Sequence, residues 1–318
     1  MGSTRLTMPA LVAVAVVGLA TGLTASPAAA RGSAPAPAPR VVNPRLLVTV
    51  NGVLHTIRPD GTGLTQLSAN GFIGDAAYSP DGTRIAFHRK TAGQNDLYVM
   101  KADGTGIQRL TNTSTYDEKY PSWSPDGTRL AFDRRSITNP QNGGIAVMRA
   151  VPGASFTTIR RNPATTDYYS EYYERADWSP KGDKIAISHV YNGDHTVVGG
   201  DLITTSGAHV RSLPGDQNEF DPTGTWVTDY APDYWGPSYG YKVSVATGAA
   251  IAVPVGADDQ DASEMTWSPD GRSIAMRYDC TGDYWPDLCV MRSDGTGVRA
   301  LKAGSETSHV IPRSWSPR

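Results

Sequence analysis

Residues 77–87 read AYSPDGTRIAF, and the pattern returns as SWSPDGTRLAF at 122–132, DWSPKGDKIAI at 177–187, EFDPTGTWVTD at 219–229 and TWSPDGRSIAM at 266–276, with SWSPR at 314–318. The Pro-Asp-Gly centre is a tight turn in which Pro presets φ and Gly supplies conformational freedom. A short strand ending in an aromatic precedes it, and an alternating strand such as Arg84-Ile85-Ala86-Phe87 follows, so each copy is a hairpin. A second hairpin comes about 20 residues later, in LYVMKADGTGIQRLT at 97–111, LCVMRSDGTGVRAL at 288–301 and LHTIRPDGTGLTQLS at 54–68. The first residues of the motif, Ser79, Ser124, Ser179, Asp221, Ser268 and Ser316, are 42 to 55 apart. That spacing holds about four short strands, and self-similarity of this period marks a repeat architecture.

The two ends complement each other. Residues 46–68 supply the second hairpin of a unit whose first strand is missing, and residues 310–318 supply a first strand with nothing after it. Joined, they complete one blade, and copies at 75–112, 119–160, 174–213, 216–254 and 262–302 bring the total to six. The fold expected is an all-β, six-bladed β-propeller of four-stranded antiparallel blades, closed by the C-terminal strand joining the N-terminal partial blade. An open β-solenoid is the alternative, but it has no use for complementary half-repeats.

Composition agrees. The 33 glycines and 23 prolines are roughly 18% of 318 residues against about 12% in an average protein, which argues against helix-rich folds. The 29 Lys and Arg against 31 Asp and Glu leave no basic excess to neutralise a phosphate backbone, so nucleic-acid binding is not expected. Residues 1–30 carry Arg5, an apolar run from Leu11 to Leu23 and Ala28-Ala29-Ala30, the pattern of a cleaved secretory signal peptide. The apolar run is shorter than the ~20 residues of a membrane span, so none is expected in the mature chain. Residues 31–43 read as a Pro/Ala-rich spacer, and the propeller domain occupies 44–318. In an exported chain, Cys280 and Cys289 are expected to form a disulfide, worth roughly 2 to 3 kcal/mol for a loop this short.

The run SPDGTRIAF followed by LYVMKADGTGIQRLT resembles the WD40-like (PD40) repeat of the TolB-type propeller family. The likeness covers nearly the whole mature chain, strongly in blades 2, 3 and 6 and weakly in blade 5. It implies the propeller fold and little about function. TolB itself carries an additional α/β domain, and prolyl-oligopeptidase-like enzymes append a hydrolase domain to a similar propeller. Neither is read here, nor is a hydrolase nucleophile elbow, so Pal binding and peptidase activity are not carried over.

The aromatic before each motif, Tyr78, Trp123, Trp178, Phe220, Trp267 and Trp315, is expected to pack between neighbouring sheets. The acids Asp81, Asp126 and Asp270, with Asp60, Asp103 and Asp294, read as turn formers. What remains are the mid-blade and interblade loops, which an up-and-down blade places on one face, opposite the tight turns. Loops on a rigid scaffold carry binding. Eleven of 15 tyrosines are assigned to these loops, among them Tyr116, Tyr120, Tyr168, Tyr169, Tyr172, Tyr173, Tyr191, Tyr230, Tyr234, Tyr239 and Tyr284, together with Trp235 and Trp285. Acids gather there too, including Asp117, Glu118, Asp167, Glu171, Glu174, Asp233, Asp283 and Asp287. Such a face suits sugar rings, peptides or cations through stacking and carboxylate hydrogen bonds. The plainer reading is that the aromatics pack the loops down and the acids keep them soluble.

Two places sharpen the binding reading. TTDYYSEYYER at 165–175 sets Tyr168 with Tyr172 and Tyr169 with Tyr173 at i,i+4, as a helical turn would present them. In blade 5, Asp229 takes the apolar position held by Phe87, Phe132, Ile187 and Met276, and YAPDYWGPSYG follows at 230–240, which marks either a site or simply a decayed repeat. The six histidines show no convincing zinc spacing, and no cofactor is expected, with calcium at Asp258, Asp259 and Asp261 left open. The expected function is a secreted or cell-envelope, non-catalytic binding module for a glycan, peptide or protein. The alternative is a polysaccharide lyase or hydrolase at the channel mouth, with carboxylates such as Asp229 and Asp233 as acid and base.

Overall fold

The computed structural model describes residues 44–68, 71–139, 141–164, 171–191, 197–231, 239–253, 263–283, 285–305 and 307–317. The leader, the spacer and Asp258, Asp259 and Asp261 lie outside these residues. Every described element is a strand, and the strands form six four-stranded antiparallel sheets.

Blade 1 begins with β1 (Leu46–Val50), β2 (Val53–Ile57) and β3 (Thr65–Gln66). Blade 2 holds β4 (Ile73–Tyr78), β5 (Arg84–Thr91), β6 (Gln94–Lys101) and β7 (Gln108–Arg109). Blade 3 holds β8 (Tyr116–Trp123), β9 (Arg129–Ser136), β10 (Gly143–Arg149) and β11 (Phe156–Arg161), and blade 4 holds β12 (Glu171–Trp178), β13 (Lys184–Tyr191), β14 (Val197–Thr204) and β15 (His209–Leu213). Blade 5 holds β16 (Asp216–Phe220), β17 (Trp226–Ala231), β18 (Tyr239–Ser244) and β19 (Ala250–Val253). Blade 6 holds β20 (Ser263–Trp267), β21 (Ser273–Tyr278), β22 (Asp287–Arg292) and β23 (Arg299–Lys302), after which β24 (Val310–Trp315) returns to pair with β1 in the order β24-β1-β2-β3. The ring closes as the half-repeats require, with Leu46 opposite Trp315 and Val50 opposite Val310.

The motif builds its turn through side chains. Ser79 Oγ donates to Asp81 Oδ1 at 2.6 Å and accepts from Arg84 N at 3.0 Å, while Asp81 Oδ1 also accepts from Thr83 N at 3.1 Å. Gly82 then stands at φ 68°, where a β-carbon would be strained, and Gly127, Gly182, Gly224 and Gly271 repeat that conformation. In blade 5, Asp221 does the serine's work, its Oδ1 accepting from Trp226 N at 2.8 Å. The decayed motif therefore keeps its turn.

The aromatic before the turn packs three of these blades against the one before. Trp123 packs on Ala86, Leu97 and Val99 of blade 2, Trp178 on Ala131 and Ile145 of blade 3, and Trp315 on Leu288 and Val290 of blade 6. The sheets' own inner faces fill with fully buried Phe87, Phe132, Ile187 and Met276. Cys280 and Cys289 form the expected disulfide, tying the β21–β22 connection. Asp287 beneath it is fully buried and accepts from the backbone N–H groups of Cys280, Thr281 and Gly304.

Two expectations are corrected. Residues 171–175 belong to strand β12, so the helical turn over TTDYYSEYYER does not extend to Tyr172 and Tyr173; residues 165–170 lie outside the described part. Tyr116, Tyr120, Tyr172, Tyr173, Tyr191, Tyr230 and Tyr239 are likewise strand residues rather than loop residues. The motif marks only the turn end of each innermost strand, and backbone pairing carries that strand several residues further than the motif shows.

Candidate functional site

The innermost strands β4, β8, β12, β16, β20 and β24 line the propeller axis, and the register of each slips about three to four residues before its motif. A bulge of this kind bends a strand and re-aims its side chains. Tyr120, Arg175 and Glu264, each four residues before a motif serine, take the left-handed backbone at φ 50°, 54° and 54°. For residues other than glycine this conformation costs energy and persists only where the surroundings enforce it. Three blades therefore carry the same strain at the same depth.

These bulges surround an axial cavity of about 150 Å³, lined by Asp75, Tyr120, Arg175, Asp177, Glu219, Glu264 and Arg313 among others. Arg175 faces Glu264 as a fork, Nη1 to Oε2 and Nη2 to Oε1, both at 3.4 Å, and its Nε lies 3.5 Å from Glu174. Its guanidinium also stacks 4.7 Å above the Tyr120 ring. Arg313 bridges Asp75 at 3.5 Å and Glu264 at 3.4 Å. Burial pulls the Glu264 carboxyl up, but the two guanidiniums outweigh it and hold the group below the usual carboxylate range. His88 supports this layer, its Nδ1 accepting from Asp75 N at 3.2 Å and Tyr120 N at 3.4 Å. Burial, with Arg313, Lys119 and Arg175 nearby, pushes its pKa down to about 3, so it stands as a neutral ring with its proton on Nε2. Gly74 makes room for it, since a β-carbon there would lie 1.8 Å from His88 Nε2.

A second cavity of about 400 Å³ adjoins the first, sharing Ala77, Ser122, Asp177, Glu219 and Ser314. It lies toward the tight-turn face, where Pro80, Pro125, Pro180, Pro269 and Pro317 rim it and Trp123, Trp178, Trp267 and Trp315 wall it. The residues two before each motif stitch the blades together here. Ser122 Oγ accepts from Trp178 N at 2.9 Å, Asp177 Oδ2 from Phe220 N at 2.8 Å, Glu219 Oε1 from Trp267 N at 3.2 Å and Ser314 Oγ from Tyr78 N at 3.3 Å. Where the residue is Ala77 or Thr266, the next blade's indole reaches the backbone instead, Trp123 Nε1 to Ala77 O at 3.1 Å and Trp315 Nε1 to Thr266 O at 3.2 Å.

Burial raises Asp177 to about 6, and raises Glu219 well above the usual range with the Asp177 charge adding to it. Asp133 is pushed up to about 8 by burial and then by Glu174. A carboxyl whose folded pKa exceeds its unfolded value favours the fold fully below the unfolded pKa, and that stability is lost as pH rises through the folded pKa. The melting temperature of the free chain is therefore expected to climb as pH falls from about 8.5 to about 6.5, below which His88, charged in the unfolded chain but held neutral in the fold, opposes the gain. Scanning calorimetry across that range checks it, and a flat or falling trend contradicts the assignment.

The residues singled out in the sequence fall elsewhere. Arg134 lies 3.1 Å over the Tyr116 ring, and Glu118 is buried with Thr113 Oγ1 at 2.8 Å and Arg134 Nε at 3.3 Å. Asp117 Oδ1 accepts from Asn95 N at 2.6 Å, clamping blade 3 to blade 2, and Tyr172 is buried under Arg135. Asp283 is exposed and caps the N–H of Trp285, itself 39% exposed. Asp229 and Tyr230 lie in β17, with side chains outside the description, and Tyr168, Tyr169, Asp233, Tyr234, Trp235 and Tyr284 lie outside the described residues. Gly-x-Ser-x-Gly spacing does occur at Gly236, Ser238 and Gly240, but Gly240 belongs to β18, paired with β17, whereas an elbow needs a strand-to-helix turn. Among the described residues, the one group of three with metal-ligand spacing is Cys280, Asp287 and Cys289, whose sulfurs are spent in the disulfide. The axial residues carried a signal that subtraction of the motif passed over: polar or charged side chains two and four positions before it, where an inner strand would be apolar.

Six four-stranded blades around a charged axial cavity define a β-propeller. The family model described as the TolB beta propeller domain matches residues 55–232, and the chain belongs to that family. Over 46 residues, 14% of this chain, it is 48% identical to the Tol-Pal system protein TolB of Anaeromyxobacter dehalogenans (strain 2CP-C), a stretch that is 10% of that protein. The match thus spans about a tenth of that curated relative's length. The crystal structure of TolB from Acinetobacter baumannii superposes with a TM-score of 0.66 over 87% of this chain and 67% of that one, at 17% identity. An oligogalacturonate lyase in complex with manganese superposes at 0.54 over 80% of this chain and 71% of that one, at 13% identity. At these identities the superpositions show the shared fold.

Proposed function

We propose that this chain is a cell-envelope or extracellular binding scaffold, exported by a leader at 1–30, that holds a protein or peptide partner at its axis. The observation that carries the reading is the cavity of about 400 Å³ on the tight-turn face, where rigid prolines and tryptophans rim a well floored by carboxylates. A proline rim suits a partner's backbone and apolar side chains because it is ordered before binding. Membership of the TolB propeller family supports a scaffold role, and no helix among the described residues is long and apolar enough to cross a membrane. Trp285 on the opposite face is the described remnant of the aromatic loop surface, and a glycan partner there is the finer form of the same reading.

Thermal shifts of the full chain against peptides, cell-wall glycans, plant polysaccharides and calcium test it, since a ligand specific to the folded state stabilises it. A saturable shift with a peptide or protein is the expected result. The competing reading is a polysaccharide lyase or hydrolase, motivated by the shared fold with oligogalacturonate lyase. Sustained turnover of an oligogalacturonate or another polysaccharide, with or without added divalent metal, would replace the scaffold reading.

A further inference from the structure

Among the described residues of the axial cavities, Asp75 and Glu264 have guanidinium partners, whereas Asp177 and Glu219 meet only neutral donors. These two carboxyls stand where the narrow and wide cavities meet. The wall beside them is incomplete in a second way. Trp178 and Trp267 are 4% and 6% exposed, and their indole N–H groups have no acceptor, whereas the equivalent groups of Trp123 and Trp315 donate to backbone carbonyls. A buried donor without a partner costs free energy that a ligand acceptor removes.

We propose that the turn-face well receives the ammonium or guanidinium of a lysine or arginine side chain from a peptide segment, with Asp177 and Glu219 binding the cation and Trp178 and Trp267 donating to the segment's carbonyl oxygens. This rests on the axial scaffold reading and names the chemistry of its partner. The residues supply what such a segment needs: two carboxyls where the cavities meet, indole rings in the wall whose buried N–H groups lack an acceptor, and proline rings at the entrance. Arg175 and Arg313 are held by Glu264, Glu174 and Asp75, so they do not satisfy the two floor carboxylates.

Calorimetric titration of the full chain with acetyl-Gly-Lys-Gly-amide, its arginine counterpart and its norleucine counterpart tests the proposal. At least one basic peptide is expected to bind and norleucine not to, with affinity rising from pH 5 to pH 7 as Asp177, flanked by Glu219, Asp75, Glu264, Arg175 and Arg313, ionises. Glu219→Gln keeps an amide oxygen for Thr266 and Trp267 N, and is expected to weaken binding at least about tenfold by removing the charge. Trp267→Phe leaves both carboxylates in place and is expected to weaken binding as well, which keeps the test decisive should Glu219→Gln not fold. No binding of either basic peptide, or equal binding of norleucine, or full affinity in the variants overturns the proposal. A neutral peptide bound equally by the native chain and by Glu219→Gln would overturn it while leaving the scaffold reading intact.

Discussion

A chain from which residues 310–318 have been deleted is expected to show no cooperative thermal transition. The deletion removes β24, and with it the pairing that runs from Leu46 opposite Trp315 to Val50 opposite Val310. Trp315 and Val310 leave a core they share with Leu46, Val48, Ile57, Leu288 and Val290. Losing a buried tryptophan costs about 3 to 5 kcal/mol and a buried valine about 2 more, before any lost hydrogen bond is counted. That is of the order of the whole stability of a domain, about 5 to 15 kcal/mol. The reciprocal bonds Arg45 N to Ser316 Oγ at 2.8 Å and Ser316 N to Arg45 O at 2.7 Å go too, as does the cross-blade bond from Trp315 Nε1. Strand β1 then becomes an open edge, a template for pairing with another chain. Circular dichroism melts with light scattering read both effects. A sharp transition near the native midpoint would mean that five blades hold without closure.

Ring closure was legible in the sequence because its signal is local and repeated. Pro-Asp-Gly turns need a glycine at positive φ, Ser79, Ser124 and Ser268 each bond an acid two residues on, and the complementary half-repeats leave one topology. The axial site was not legible for the opposite reason. Asp75, Tyr120, Arg175, Glu219, Glu264 and Arg313 come from six separate repeats, and what brings them together is a bulge in each innermost strand that no periodicity announces. They stand in the strand leading into the motif, where the repeats share no common residue. The tyrosines around 116 and 172 misled for a related reason. An aromatic at the end of an extended strand and one on a loop look alike in sequence, and only pairing such as Tyr116 with Ser136 tells them apart.

The same axial geometry makes Arg175→Met the most costly point change expected here, by up to about 3 kcal/mol at pH 7, the low end of the penalty for removing one partner of a buried ion pair, because Arg175 and Glu264 keep 23% and 20% of their side-chain surface exposed. Methionine keeps the aliphatic stem and inherits the backbone at φ 54°, so strain at the bulge is unchanged and the loss is electrostatic. Glu264 loses its two-pronged partner, Arg313 stays divided between Glu264 and Asp75, and Tyr120 loses the guanidinium over its ring. The pH dependence separates this from a packing defect. In the native chain the Glu264 carboxyl lies below its usual range, so its contribution is present above the unfolded value of about 4.3 and is lost as pH falls through the folded value. In the variant burial is opposed without the fork from Arg175, by Arg313 and the more distant Arg277, the carboxyl moves up, and acid relieves it by protonation. The gap between native and variant stability, read by denaturant melts, is therefore expected to narrow from pH 7 to pH 4. Glu264→Gln added to Arg175→Met should recover part of the loss, because the charge left behind is gone. A gap of equal size at both pH values, with the two substitutions strictly additive, would show that Arg175 fills space at the axis and that the charges around it are not coupled.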